Sequence, residues 1–115
     1  RSGEAAYLAG DRSKARRQLQ SFFQQHPDDP LNAFALCYLG RLELDERQPQ
    51  AAQRHFAAAV ARFPQSALVD QCQWGLAEAQ AQQNHLDEAY GTYKLLADAR
   101  GRYTEYALLR LAAGL

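Results

Sequence analysis

The sequence lacks the features that mark several common classes of protein. Of its 115 residues none is methionine, two are cysteine, four are proline and seven are glycine. No apolar run approaches the roughly 18 residues that a membrane-spanning helix needs. Thirteen basic residues balance thirteen acidic ones, so the chain lacks the basic excess typical of general nucleic-acid and membrane-surface binders. The composition therefore predicts neither a nucleic-acid partner nor direct insertion into a membrane.

Motifs that support catalysis or ligand binding are also scarce. Two cysteines, with no further ligands at suitable spacing, are too few for a zinc site, and we interpret Cys37 and Cys72 as small buried residues. The sequence contains no glycine-rich phosphate loop. The histidines, which we interpret as solvated residues outside the predicted core, are His26, His55 and His85. The sequence therefore predicts no catalytic residue, no metal, no cofactor and no enzymatic activity.

Apolar residues spaced three and four apart predict helices along the whole chain. Two such stripes, 37 residues apart, consist of Leu31, Ala35, Leu39 and Leu42, and of Leu68, Cys72, Leu76 and Ala79. With the turn signals, this periodicity predicts about seven helices, near residues 1–9, 12–26, 31–46, 49–62, 67–83, 86–99 and 103–115. The fold class is therefore expected to be all-α.

Turn-forming residues separate the predicted helices. In the segment HPDDP, Asp29 is suited to cap a helix and Pro30 to occupy its first turn. Pro49 is expected to begin the next helix, while Gly10 and Asn84 tolerate the left-handed conformation that ends a helix. The connections are short, so successive helices are expected to run antiparallel.

A repeat of 37 residues is the strongest pattern in the sequence. Four sets recur at this spacing: Gly3, Gly40, Ala77 and Gly114; Ala15, Ala52 and Ala89; Leu19, Phe56 and Tyr93; and Pro27, Pro64 and Gly101. A small residue lets two helices approach, and a large apolar residue one turn later fills the space beside it. Such a hairpin cannot bury its apolar faces alone, so copies are expected to stack. We expect Ala52 and Ala89 to be packing residues.

The pattern resembles the tetratricopeptide repeat family, in which W-x2-L-G-x2-Y is followed by A-x3-F and then by proline. The matching residues of the middle unit are Leu36 at the Trp position, then Leu39, Gly40, Ala52, Phe56 and Pro64. Glu43 departs from the pattern, since tyrosine is expected there. In the third unit Gln73 and Gln80 depart from it, whereas Ala89 and Tyr93 match.

This resemblance spans essentially the whole chain and implies its architecture. It implies a right-handed solenoid of antiparallel helix hairpins in a single domain, residues 1–115, with units near 1–27, 28–64 and 65–101 and a final helix at 102–115. We expect the chain to be a piece of a longer protein whose repeats continue past both ends. The spacing is also similar to that of a bacterial cell-envelope subgroup, which includes the Tol–Pal-associated periplasmic coordinator and the barrel-assembly lipoprotein, and this likeness would imply a periplasmic or envelope location.

In tetratricopeptide stacks the first helices of successive hairpins line a concave groove. The residues expected on this face are Tyr7, Phe34, Cys37, Arg41, Leu44, Gln71, Trp74 and Glu78. Aromatic residues ringed by a few charges are typical of a site that binds a partner segment, and Trp74 is expected to contribute more to binding than to stability. The alternative is that neighbouring repeats cover this face. Because Cys37 falls on the groove face and Cys72 in a core stripe, no disulfide between them is expected.

The expected function is a non-catalytic scaffold that binds a protein or peptide partner in the groove. The alternative is a structural or self-association module that spaces other domains of a larger protein. An exposed apolar end would favour that alternative, and its residues would be Tyr106, Leu108, Leu109 and Leu111.

Overall fold

The structure, a computed structural model, describes residues 2–99 and 101–114, with side chains from residue 11 onward. Within these residues the chain forms six α-helices and no strand. The helices are α1 (Ser2–Gln25), α2 (Asn32–Asp45), α3 (Pro49–Arg62), α4 (Val69–Gln82), α5 (Leu86–Asp98) and α6 (Thr104–Ala112). None of these helices combines the length and the apolar character that a membrane span requires.

The all-α prediction is confirmed. The described residues form six helices and not the expected seven, because the predicted break at Gly10 is absent. Residues 1–9 and 12–26 were expected to form two helices, and α1 instead runs continuously from Ser2 to Gln25. A glycine inside a helix costs about 1 kcal/mol relative to alanine, which is too little to end a helix by itself. No proline follows Gly10, whereas Pro49 begins α3 directly after the turn at the equivalent position, Arg47.

The turns between α2 and α3 and between α4 and α5 have equivalent backbone conformations. Arg47 has φ of 60° and Asn84 has φ of 64°, and these two residues are 37 positions apart. Each is left-handed and reverses the chain after a helix, as expected for Asn84. Residues 46–48 and 83–85 are all that connect the paired helices, so each pair forms an antiparallel hairpin.

The chain also enters α2 and α4 in equivalent ways. The Asp29 side chain accepts a hydrogen bond from the backbone N–H of Leu31 at 2.8 Å. Thirty-seven residues later, the Ser66 hydroxyl accepts one from the backbone N–H of Leu68 at 3.1 Å. Both contacts satisfy a donor that the helix itself leaves free.

Packing proceeds from each helix to the next, and α2 also packs against α4. Two clusters of buried residues result. The first joins α2, α3 and α4 through Leu36, Cys37, Ala52, Phe56, Ala59, Cys72 and Ala79. The second joins α4, α5 and α6 through Ala77, Ala89, Tyr93, Leu96 and Ala107. The expected packing role of Ala52 and Ala89 is confirmed, since both are 0% exposed.

Phe56 packs closely against glycines of two neighbouring helices in the first cluster. Its ring lies between Gly40 of α2 and Gly75 of α4, and a Cβ added to either glycine would come within 2.8 Å or 2.3 Å of a ring atom, respectively. Phe56 is only 1% exposed, so its ring has little room to move aside. Gly40 was part of the predicted repeat, whereas Gly75 was not.

Replacing Gly75 with alanine is expected to lower the free energy of unfolding by about 1–3 kcal/mol, because the methyl group would overlap the Phe56 ring. Gly91 of α5 is the matched control, since an added Cβ there meets nothing within 4 Å. Gly91→Ala should stabilise the protein by up to about 1 kcal/mol. Urea denaturation measures both effects, and a Gly75→Ala protein as stable as the parent would contradict the close contact.

Candidate functional site

One exposed stripe of α2 carries large apolar and charged side chains that the core does not use. Its members, which we call the α2 surface, are Leu31, Phe34, Tyr38, Arg41 and Asp45. Phe34 is 55% exposed and Tyr38 is 42% exposed, and their ring centroids are 6.1 Å apart. The residues are spaced three and four apart, so they lie on one face of the helix.

The α2 surface is rotated relative to the face that the sequence predicted. Phe34 and Arg41 are exposed as expected, but Cys37 is 5% exposed and belongs to the first buried cluster, while Leu44 packs against that cluster. Successive side chains in a helix are rotated by about 100° around the helix axis. Viewed along this axis, Cys37 therefore lies about 60° to one side of Phe34, and Tyr38 lies about 40° to the other side. Sequence reasoning therefore missed Tyr38, although its spacing from Phe34 and Arg41 would have identified it.

Trp74 of α4, the counterpart of Cys37 in the repeat, is half-buried against α5 and α6 and not free in a groove. Its indole stacks on Tyr103 with centroids 5.5 Å apart and planes inclined by 17°, and it meets the edge of Tyr93 at 5.3 Å. Such pairs contribute about 0.5–1.5 kcal/mol each beyond the area they bury. Trp74 was expected to contribute more to binding than to stability, but these contacts make it part of the packing, so a substitution there would disturb stability and surface together.

The same rotation explains both misplaced residues. On α2, Cys37 turns toward Cys72 of α4, and on α4 the equivalent Trp74 turns toward Tyr103 and Tyr106 near and within α6. This repeat position therefore faces the first helix of the following hairpin. It fills the seam between consecutive hairpins, and at Trp74 it also lines a depression of about 330 Å³ together with Arg102, Tyr103 and Tyr106.

Two other predicted residues of α4 have different environments. Gln71 is exposed, whereas Glu78 is half-buried and forms an ion pair with Arg110 of α6, with an N–O distance of 3.2 Å. The Arg110 guanidinium also lies 5.9 Å from the centre of the Trp74 ring. Glu78 is thus already engaged within the fold. The side chain of Tyr7, the remaining predicted residue, lies outside the described side chains.

A polar pair links the two helices of each hairpin. In the first, His55 Nδ1 lies 2.5 Å from Glu43 Oε1, and in the second the Thr92 hydroxyl donates to Gln80 Oε1 at 2.8 Å. Both members of the second pair lie 37 positions after those of the first. Glu43 and Gln80 are buried, so they need these partners. The interpretation of His55 as a solvated residue is therefore wrong, while His26 and His85 are exposed.

Cys37 and Cys72 both lie in the first cluster, as free thiols. A hydrogen bond from the Cys72 thiol lowers the pKa of Cys37, against the opposing effect of burial, and the charge of Arg41 also lowers it. The same hydrogen bond, together with burial, raises the pKa of the Cys72 thiol above its usual range. The placement of Cys37 on the groove face is therefore wrong, because it belongs to the same buried cluster as Cys72.

Two depressions between α1 and α2 adjoin the α2 surface. The larger, of about 320 Å³, is lined by Asp11, Arg12, Tyr38, Arg41, Leu42 and Asp45. The smaller, of about 150 Å³, is lined by Ala15, Gln18, Leu19, Phe34 and Tyr38. Tyr38 borders both and Phe34 borders the smaller, so each ring adjoins a recess that can receive a side chain of a partner. Among the described residues, no group of three metal-ligating side chains is close enough to hold a metal ion.

Burial raises the pKa of Tyr93 to about 12, with the Glu78 charge adding to the effect and Arg110 opposing it. An unfolded tyrosine loses its proton near pH 10. Between about pH 10 and 12 the unfolded chain therefore binds fewer protons than the folded one, and the free energy of unfolding should fall as pH rises through this window. Below pH 10 this contribution is fully present.

Tyr93→Phe should remove this contribution to the fall in the free energy of unfolding at alkaline pH. The phenylalanine ring should still fit, because Phe56 occupies the equivalent position. Tyr90→Phe is the matched control, since Tyr90 lies exposed on the same helix. Urea titrations at several alkaline pH values compare the three proteins. If Tyr93→Phe loses stability with pH as steeply as the parent, the burial of the Tyr93 hydroxyl does not govern its ionisation.

Comparisons with known proteins do not add to this geometry. A scan against protein-family models gave no match, and a search of curated proteins gave none. The 37-residue repeat is instead seen within the chain, as equivalent contacts at that spacing, such as Glu43 with His55 and Gln80 with Thr92.

Proposed function

We propose that the protein is a non-catalytic interaction scaffold that binds an extended segment of a protein partner along the α2 surface. The observation that carries this proposal is the pair of exposed rings, Phe34 and Tyr38, which adjoin two recesses on a helix whose other face is buried. Neither ring belongs to the buried clusters, so the fold does not account for them.

The physical basis is preorganisation. The buried face of α2 packs against α3 and α4, which holds the rings in place before a partner arrives and lowers the entropy lost on binding. Aromatic side chains supply most of the binding energy in such sites, and a nearby arginine orients the partner. Arg41 is exposed one turn beyond Tyr38 and is suited to pair with a carboxylate of the bound segment.

The architecture that we propose for this scaffold is a right-handed tetratricopeptide solenoid. Its support is the recurrence, 37 residues apart, of a left-handed turn residue, a side-chain hydrogen bond to the backbone just before a helix, and an interhelical polar pair. In such a stack the first helices of successive hairpins lie side by side, and α2 does pack against α4. The α2 surface would then form part of the concave face.

Peptides selected from a random display library against the parent protein test the binding function. Phe34→Ala and Tyr38→Ala should each weaken the selected peptides at least about tenfold, as expected for aromatic anchors. Tyr90→Ala on α5 is the matched control, because Tyr90 is as exposed as Phe34 but lies on a different helix. All three variants should melt near the parent temperature. If Tyr90→Ala weakens the peptides as much as Phe34→Ala and Tyr38→Ala do, the peptides do not bind specifically at the α2 surface.

Self-association is the second candidate, and the exposed apolar residues of α6 favour it. Leu109 is 69% exposed, and Tyr106 and Leu108 are more than half exposed on the same short helix. Leu111 instead packs against the second cluster. If this surface pairs two copies, sedimentation should show a mass that rises with concentration, and Leu109→Glu should abolish the rise. A constant monomer mass would exclude self-association and leave the scaffold function.

A further inference from the structure

A recess lined by aromatic rings lies where α4 meets the start of α6. It has a volume of about 330 Å³, and its lining residues are Trp74, Arg102, Tyr103 and Tyr106. None of them lies on α2, so this recess, which we call the aromatic recess, is separate from the α2 surface. We propose that the aromatic recess binds a proline-rich segment of a protein partner that carries an acidic residue beside its prolines. The proposal does not depend on the scaffold function of the α2 surface.

Three rings form the apolar wall of the aromatic recess. Besides the stacked pair of Trp74 and Tyr103, the Tyr106 ring lies 6.0 Å from Trp74 and 6.1 Å from Tyr103, measured between centroids. Trp74 also meets the edge of Tyr93, which is buried in the second cluster. The core therefore holds the wall in place from behind, and a preformed wall lowers the entropy lost when a ligand binds.

The polar groups of the aromatic recess favour a ligand that presents hydrogen-bond acceptors. The indole N–H of Trp74 and the guanidinium of Arg102 can only donate hydrogen bonds, and a tyrosine hydroxyl can donate one as well. A proline residue has a carbonyl acceptor and no N–H. In a polyproline II helix these carbonyls make no internal hydrogen bond. They are therefore available to the donors while the proline rings pack on the aromatic wall, as in other aromatic-lined grooves.

The charge at the aromatic recess defines the acidic residue of the ligand. Arg102 is exposed, and the ion pairs within the described part of the chain do not include it. Arg110, which lies near the Trp74 ring, is by contrast paired with Glu78. A carboxylate beside the prolines is therefore suited to pair with Arg102. The same positive charge disfavours a methylated ammonium group, which clusters of aromatic rings also bind.

Synthetic peptides test the proposal on the full chain. The probe has about six prolines, which form two turns of polyproline II helix, followed by aspartate, and both of its termini are blocked. Calorimetry measures the affinity, and the emission of Trp74, the only tryptophan in the chain, should change on binding. A peptide with alanine in place of proline should bind at least about tenfold more weakly. The proposal is overturned if the proline peptide does not bind at about 1 mM, or if the alanine peptide binds equally well.

Substitutions locate the bound peptide, after circular dichroism shows that each variant is folded. Tyr106→Ala removes the most exposed ring of the aromatic recess and should weaken binding at least about tenfold. Tyr90→Ala is the matched control, since Tyr90 is similarly exposed on α5. Phe34→Ala should leave the affinity unchanged, which separates this proposal from binding at the α2 surface. If Phe34→Ala abolishes binding, or Tyr90→Ala weakens it as much as Tyr106→Ala does, the peptide binds elsewhere and the proposal is wrong.

Arg102→Gln tests the charge of the ligand without altering the aromatic wall. Because Arg102 is exposed, this variant should melt at the parent temperature. It should weaken the aspartate peptide about threefold, as expected for an exposed ion pair. A peptide with asparagine in place of aspartate should bind the parent and the variant equally. An equal loss of affinity for both peptides, or no loss for either, would contradict the pairing of the carboxylate with Arg102.

Discussion

The close approach of Phe56 to two glycines is the contact on which the rest of the structure depends. The ring projects from α3 and touches Gly40 on one side and Gly75 on the other, so a single side chain sets the position of α2 and α4 relative to their shared neighbour. Protein interiors are packed too densely to absorb an extra methyl group at such a point. The same packing of α2, α3 and α4 places Cys37 and Cys72 in one buried cluster with Phe56.

Much of this fold could be predicted because its elements are encoded locally. Pro49 begins α3, Asn84 ends a hairpin turn, and Ala52 with Phe56 forms the buried contact that the repeat implied. Gly10 shows the limit of such reasoning. It occupies the repeat position of Arg47 and Asn84, yet α1 continues through it, because glycine permits a turn but does not impose one.

The candidate site was harder to predict, since it depends on how whole helices rotate against one another. Phe34 and Arg41 were placed correctly on an exposed face. Cys37, however, is buried within the first cluster, and Trp74 is partly buried against a cluster that includes a residue of α6. A single sequence shows which residues share a face to within about one residue step, or 100°. It does not show which edge of that face the next hairpin covers. The pairing of Glu43 with His55 also escaped prediction, because two separate helices supply it.

The seam position shared by Cys37 and Trp74 has a geometric consequence. One seam is filled by two thiols, and the next by an indole stacked on a phenol ring. A bulkier side chain at this position would hold adjacent helices further apart on its own side, so its size would affect how sharply successive hairpins bend. Curvature in such a stack can therefore change from one joint to the next through a single position in each unit, while the contacts inside every hairpin stay the same.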